Sequence, residues 1–391
     1  MQMSNKNAKI RNKKSPKVVI SGYYGFDNCG DEAVLLAIVH CLRELLPDIR
    51  ITVLSGNPQK TRELYAVEAC DRWNPLKVAF EIISCRVFIS GGGSLLQDVT
   101  SARSLRYYLA LIRLASVFRK RIMIYSQGIG PLTASKSRTG VFKALNRCHT
   151  ITVRDEHSAE LLRELGIKHD IHVTCDPVMA FSRDDIDVSE IKDELNDIGV
   201  IDRSGEKQKP LLVAAVRQWG DNSHIPPIAK LLDIQARNGW DVLLVPAHYP
   251  NDMESLNEIA NLMTEQPYIL DKCLTASQFL ALTVLASRVF SMRLHGLVCA
   301  FATGAPMLGL SYDPKVDAFM EQAGLSEYCL PFDSFNCNAA ECILAQMDEL
   351  PQQPQQIFEA RRQEMQGKAW KTAQAVIDLL DVAVRGGKER L

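Results

Sequence analysis

The stretch "KVVISGYYGFDNCGDEAVLLAIVHCLRELLPDIRITVLSG" (17–56) decides the architecture. A β-branched apolar run, "KVVISG" (17–22), enters a glycine-rich turn. A longer segment follows in which Leu35, Val39, Leu42 and Leu46 fall on one helical stripe. A second apolar run, "RITVLSG" (50–56), closes the unit. The first run does not alternate polar with apolar residues and the second does so only over Arg50–Val53, closer to strands buried on both faces than to half-exposed ones. Strand, helix and strand in this order predict a parallel α/β sheet. The same grammar continues in "VFISGGG" (87–93), "RIMIYSQGIG" (121–130), "TITVRD" (150–155) and "IHVTCDPV" (171–178). It restarts in "LLVAAVRQWG" (211–220), "WDVLLVPAH" (240–248), "PYILD" (267–271), "RVFSMR" (288–293) and "PMLGLSYD" (306–313).

The expectation is an α/β protein with two doubly wound, Rossmann-like domains facing a cleft. Residues 17–178 form an N-terminal Rossmann-like domain, 179–208 a polar linker region and 209–350 a C-terminal Rossmann-like domain. Residues 351–391 form a helix packing back toward the first domain, with Ala369, Ala373, Val376 and Leu380 on its apolar side. Residues 1–16 form a basic flexible tail. At 391 residues the chain accommodates two domains of ordinary size.

Formal net charge is -1, which argues against nucleic acid as a partner. The charge is uneven: Lys6, Lys9, Arg11, Lys13, Lys14 and Lys17 stand together with no acid. They form either a solvated tail or a foot on an anionic membrane. The 11 cysteines are scattered, with no CxxC spacing and no companion histidine cluster, so no metal site is expected. Their odd number fits a reducing compartment. With no signal-like or membrane-spanning run, the expectation is a cytoplasmic protein, soluble or peripheral on the inner membrane face.

In open α/β sheets ligands bind outside the carboxyl ends of the strands. The first strand ends in "SGYYGFDNCGDEA", whose glycines permit close backbone approach. The acids at the helix start would repel a pyrophosphate, so a hydroxyl-rich neutral ligand suits this loop better. Tyr23 and Tyr24 are expected to stack on a sugar, with Asn28 and Asp31 on its hydroxyls. Asp31 is either a general base or a helix-start acid interacting with the macrodipole. Gly92 and Gln97 in "SGGGSLLQD", and Gln127 in "SQGIGPL", complete the acceptor candidates; the triple glycine reads as a loop against a helix start.

The second series ends in cationic or proton-carrying groups: Arg217, His248, Arg293 with His295, and Tyr312, Asp313 and Lys315. His248 is equally readable as structural. Arg293 and His295 lie two apart, so in extended chain they share a side, and a helix is expected from Gly296. A helix start and arginine forks favour a small, multiply charged anion.

Together "GYYGFDNCGDEA", "SGGGSLLQD", "YSQGIGPL", "RDEHSAELL", "DPV" and "MRLHGLVCAFATGAPMLGLSYDPKV" resemble the polysaccharide pyruvyltransferase family, from about Val18 to Phe319. The resemblance implies a glycosyltransferase-B-like fold and pyruvyl transfer from phosphoenolpyruvate, with no cofactor. It implies an N-acetylmannosamine unit on a lipid-diphosphate-linked disaccharide as acceptor and a 4,6-ketal as product. Arg217, Arg293 and His295 match the family's donor pattern, and Lys315 follows in the shared "YDPKV" segment. His295 is expected to handle a proton or the leaving phosphate, and Asp31 to assist hydroxyl attack. The rival readings are a nucleotide-sugar glycosyltransferase of the same architecture and a non-catalytic sugar-binding protein.

Overall fold

The computed structural model describes residues 15–99, 101–201, 209–348 and 352–388. The chain divides into two compact units. One comprises residues 1–26, 34–180 and 367–391, the other 27–33 and 181–366.

The first unit carries β1 (Lys17–Ser21), α1 (Cys29–Leu45, from Val34 onward), β2 (Arg50–Ser55), α2 (Pro58–Tyr65), β3 (Glu68–Asp71), α3 (Pro75–Ser84) and β4 (Val87–Ser90). It continues with β5 (Gly93–Leu96), α4 (Ala102–Val117), β6 (Arg121–Ile129), α5 (Ser135–Leu145), β7 (Thr150–Val153), α6 (Glu156–Glu164) and β8 (Ile171–Val173). Its parallel sheet runs β3-β2-β1-β4-β6-β7-β8, with β5 on β6. Asn-Pro pairs start two helices: Asn57 and Asn74 accept from the Lys60 and Lys77 amides while Pro58 and Pro75 preset the first turn. One core cluster joins α3, α4, α5 and α6 to the sheet face carrying Val19, Phe88 and Ile122.

The second unit carries α7 (Ser189–Asp197), β9 (Leu211–Ala215), α8 (Ile225–Arg237), β10 (Asp241–Leu244), α9 (Met253–Leu262), β11 (Tyr268–Ile269) and α10 (Ala276–Leu285). Then come β12 (Arg288–Ser291), α11 (Leu294–Thr303), β13 (Met307–Ser311), α12 (Pro314–Ala323), β14 (Cys329–Pro331) and α13 (Cys337–Asp348). Its parallel sheet runs β11-β10-β9-β12-β13-β14. α14 (Gln352–Lys388) begins within this unit and ends within the first, where Ala369, Ala373, Val376 and Leu380 are buried.

Four sequence expectations change. The segment read as a linker contains α7, whose Ile191 and Leu195 are buried. The triple-glycine segment read as a loop against a helix contributes β5, and the next helix starts only at Ala102. Lys17 does not belong to a solvated run: it is a buried β1 residue that pairs with Glu81 and donates to Ser84 Oγ at 2.9 Å. The rest of that basic run, Lys6 to Lys14, lies outside the described residues.

The fourth change concerns the strand-end glycines. Tyr24 is fully buried, so its ring is part of the core and cannot stack on a sugar. A Cβ on Gly22 would lie 2.3 Å from that ring, and one on Gly91 would lie 2.4 Å from its hydroxyl oxygen. These two glycines therefore make room for a neighbouring side chain rather than for a ligand. Gly25, with φ +80, is the one in this loop that the backbone itself requires. Gly22→Ala is expected to destabilise the fold by about 1–3 kcal/mol through overpacking. An unchanged thermal melt would show that the Tyr24 ring is free to step aside.

Candidate functional site

In the second unit, β10, β9, β12 and β13 lie side by side, so their carboxyl ends form one row. Arg217 follows β9, His248 follows β10, Arg293 follows β12 and Lys315 follows β13. Parallel pairing alone thus gathers the cationic groups.

Arg217 is held from several sides. Its Nε donates to the Gln218 carbonyl at 3.1 Å and its Nη1 to the Tyr312 hydroxyl at 3.2 Å. The guanidinium carbon lies 5.4 Å from the Trp219 ring centroid and 5.3 Å from that of Tyr312. Lys315 approaches the same Tyr312 ring at 5.8 Å and pairs with Asp313 at 2.9 Å. Tyr312 therefore spaces two cations. Behind Arg217, the His224 Nε2 lies 2.9 Å from the Arg217 carbonyl. A carbonyl only accepts, so this nitrogen carries the hydrogen. Burial holds the His224 pKa below the usual value, and its buried Nδ1 has no partner among the described residues.

Arg293 alone of the pair stands in extended chain (φ -79, ψ 122). It is the residue capping the N-terminus of α11, and His295 sits in the first helical turn. The expected start at Gly296 is two residues late. Ser291 turns the corner, accepting from the Arg293 amide at 3.0 Å and donating to its carbonyl at 2.9 Å. A Cβ on Gly296 would lie 2.3 Å from that hydroxyl oxygen, so only glycine fits.

The Arg293 guanidinium is clamped by Asp252, a residue the sequence reading passed over. Asp252 is 1 % exposed. It takes the Arg293 Nε at 3.1 Å and pairs with Nη2, while also accepting from the amides of Ala247 (3.1 Å) and His248 (2.9 Å). One carboxylate thereby fixes the end of β10 and aims a guanidinium. Nη1 stays outside the clamp. His248 senses the whole group. Burial lowers its pKa first, Arg293 and then Arg217 lower it further, and Asp252 and Asp27 oppose them. A neutral imidazole at neutral pH results.

Residues 27–33, expected in the N-terminal domain, belong to the second unit. Asn28 forms an antiparallel bridge with His248, the Cys29 amide donates to the Ala247 carbonyl at 3.1 Å, and the Cys29 thiol donates to the Leu274 carbonyl at 3.3 Å. This places the half-buried Asp31, in the first turn of α1, in the same unit as His295. Gly30 touches that histidine directly: a Cβ there would lie 2.2 Å from His295 Nδ1.

The other acceptor candidates lie in the first unit. Tyr23 is 37 % exposed and stacks on Phe26 at 4.3 Å. Gln97 is half-buried and Gly92 buried, the latter against Val34 and Pro177. Gln127 is removed from the candidates. It is fully buried, and its amide nitrogen donates to Ser90 Oγ (2.8 Å) and the Gly91 carbonyl (2.7 Å). Two quoted motifs also meet here. Arg154 of "RDEHSAELL" reaches Asp176 of "DPV" at 3.9 Å and Ser94 at 3.0 Å. Arg72 is a further surprise: a 5 % exposed guanidinium that donates to the Gly22 carbonyl and lies within 5.5 Å of the Phe26, Trp73, Tyr107 and Tyr108 rings.

Known structures share this architecture. A putative UDP-N-acetylglucosamine 2-epimerase from Listeria monocytogenes superposes with TM-score 0.62 at 13% identity, covering 96% of this chain and 98% of its own. UDP-GlcNAc 2-epimerase from Neisseria meningitidis gives 0.60 at 12%, covering 93% and 99%. A glycosyltransferase from Rickettsia africae gives 0.60 at 12%, covering 95% and 99%. At these identities the likeness defines the fold, that of glycosyltransferase-B-type enzymes with two parallel sheets. No curated protein matches the chain. The family model for polysaccharide pyruvyl transferase matches residues 28–314, and the chain belongs to that family of enzymes.

Two substitutions test the site's construction. Gly30→Ala adds a methyl group against the His295 ring on a helix that tolerates alanine well. Turnover is expected to fall about 100-fold, as for a catalytic group misplaced by an ångström, with about 1–3 kcal/mol of stability lost to overpacking; full activity would mean that the ring's position is immaterial. Asp252→Asn leaves Arg293 without its counter-charge. The expected loss is about 2–3 kcal/mol of stability, below the range for a fully buried pair because Arg293 keeps some solvent, together with a raised KM for the anionic donor. A variant that matches the wild type in both would show that the clamp is idle.

Proposed function

We propose that the second-unit site binds phosphoenolpyruvate and transfers its pyruvyl group to two hydroxyls of a sugar as a cyclic ketal. Membership in the family supplies the coarse activity, pyruvyl transfer to a polysaccharide, with phosphoenolpyruvate as the general donor. The observation that carries the reading is the row of Arg217, Arg293 and Lys315 at adjacent strand ends, with His295 beside Gly30 and Asp31 next in the chain. A carboxylate and a phosphate need two or three cationic clamps, and bidentate guanidinium forks suit both.

The chemistry follows from the donor. The enol double bond takes a proton at its methylene carbon, which leaves an oxocarbenium-like centre at the adjacent carbon. A sugar hydroxyl oxygen bonds to that centre and gives up its proton. The carbon–oxygen bond to phosphate breaks, inorganic phosphate departs, and the second hydroxyl closes the ring with loss of its own proton. In this scheme His295 donates the proton or steadies the leaving phosphate, Asp31 accepts a hydroxyl proton, and Asn28 holds the acceptor. The finer acceptor we propose is N-acetylmannosamine on a lipid-diphosphate-linked disaccharide, with a 4,6-ketal as product. It rests on the family resemblance and on Asn28 and Asp31.

The test offers radiolabelled phosphoenolpyruvate and UDP-sugars in parallel, scored by label transfer to a lipid-linked or synthetic disaccharide. Transfer from phosphoenolpyruvate with equimolar phosphate release is expected. His295→Ala should lose about 100- to 10,000-fold in turnover, the usual span for a proton-transfer group. Transfer from a UDP-sugar instead, or a His295→Ala variant at near-normal rate, would overturn the assignment. Asp31→Asn with an unchanged rate and weakened acceptor binding would remove its role as base.

A further inference from the structure

The folded surface of the first unit carries a charge asymmetry that the net charge of -1 hides. Between Asp98 and Asp155 there is no acid, and there are 11 lysines and arginines. On α4 the exposed positions Arg103, Arg106, Arg113 and Val117 fall at spacings of three, seven and four, along the outward side of the helix. Inward, Leu105, Leu111, Ile112 and Ala115 enter the core. The outer face of α4 is therefore a cationic stripe without counter-charge on its own helix.

The neighbouring helix α3 is apolar on two sides. Val78 and Ile82 are buried in the core. Leu76, Phe80 and Ile83 recur at four and three residues on another stripe and are exposed, Leu76 at 83 % and Phe80 at 66 %. Trp73 precedes the helix at 65 % exposure, and Val117 and Phe118 end α4. These six are half of the 12 large apolar side chains exposed among the described residues, which is more than scatter gives. The Lys120 ammonium donates to the Ile83 carbonyl, which joins the segment after α4 to the end of α3. The nearest acid on α3, Glu81, is consumed by Lys17.

We propose that the α3–α4 face is a docking surface for an anionic phospholipid bilayer. Leu76, Phe80 and Ile83 enter the boundary between headgroups and acyl chains, Trp73 sits at headgroup level, and the arginines of α4 meet lipid phosphates. Charge complementarity selects this occupant. In a twofold contact between two copies the same arginine stripe would face itself, which is repulsive. A nucleic acid would satisfy the arginines but leave an aliphatic stripe without a partner. An interfacial helix combines a basic face with Trp, Phe and Leu, as α3 and α4 do jointly. The inference does not depend on which sugar is the acceptor, and it assigns membrane contact to a folded face rather than to residues 1–16.

The 391-residue chain is floated with vesicles of pure phosphatidylcholine and with vesicles containing about 30 mol% phosphatidylglycerol, a content sufficient for a negative surface potential. Binding to the anionic vesicles alone is expected, weakened as salt is raised. Phe80→Glu and the pair Arg106→Glu/Arg113→Glu should each weaken partitioning at least about tenfold. Their melts and their turnover on a water-soluble acceptor should match the wild type. Leu76→Ser, a gentler change, should show a smaller loss in the same direction. Equal binding to both vesicle types, unchanged partitioning of these variants, or a loss seen only on neutralising Lys6 to Lys14 would overturn the proposal. So would a dimer in light scattering that Phe80→Glu disperses without any vesicle binding by the wild type.

Discussion

The carboxylate of Asp252 is the constraint on which the second-unit site depends. It is buried, so it would be unfavourable there as a lone charge, and four donors surround it. Two are backbone amides at the end of β10, which fix the course of the chain through His248. Two belong to the guanidinium of Arg293, which enters from the start of α11. A single buried anion therefore sets the relative position of two strand ends. The arginine it aims is thereby restrained, with its Nε and Nη2 committed to one carboxylate.

Around this clamp the site is built by subtraction as much as by attraction. Glycine at 30 leaves space for an imidazole, and glycine at 296 leaves space for the serine that turns β12 into α11. Tyr312 separates Arg217 from Lys315 while its hydroxyl accepts from the arginine. The positive charges are thus spread along the row rather than stacked on one another, with Asp252 and Asp313 as local counter-ions. A donor with two anionic groups several ångströms apart meets such a layout better than a single compact charge does.

Much of this was legible in the sequence, and the failures share a cause. The unbroken apolar runs identify buried parallel strands because nothing else in a soluble chain tolerates them, and strand order then brings Arg217, His248, Arg293 and Lys315 into one row. What sequence pattern does not encode is the direction in which a polar or aromatic group turns once the strand has ended. Tyr23 and Tyr24 are adjacent and identical, yet one is partly exposed and the other is core. Gln127, read as a strand-end residue like Arg217, lies inside β6 and spends its amide on Ser90 and Gly91. Asp252 looks like an ordinary acid near the start of α9, and its partner lies 41 residues away in the chain. Arg72 is hidden for the same reason, since its aromatic surroundings come from three separate segments. The membership of residues 27–33 in the second unit rests on backbone bonds to Ala247 and His248, which no local signal announces.

The two glycines against Tyr24 carry an evolutionary consequence. Gly22 and Gly91 yield to one and the same ring, so their substitutions are not independent events. Once the ring has been displaced by a methyl group at either position, a second methyl meets space already vacated, and its added penalty shrinks. Drift at these sites is therefore ordered: the aromatic side chain must shrink or turn first, after which both glycines become free to vary together. An unchanging Gly22 or Gly91 records the volume of the Tyr24 ring, and its persistence in a lineage would be epistasis rather than evidence of a bound ligand.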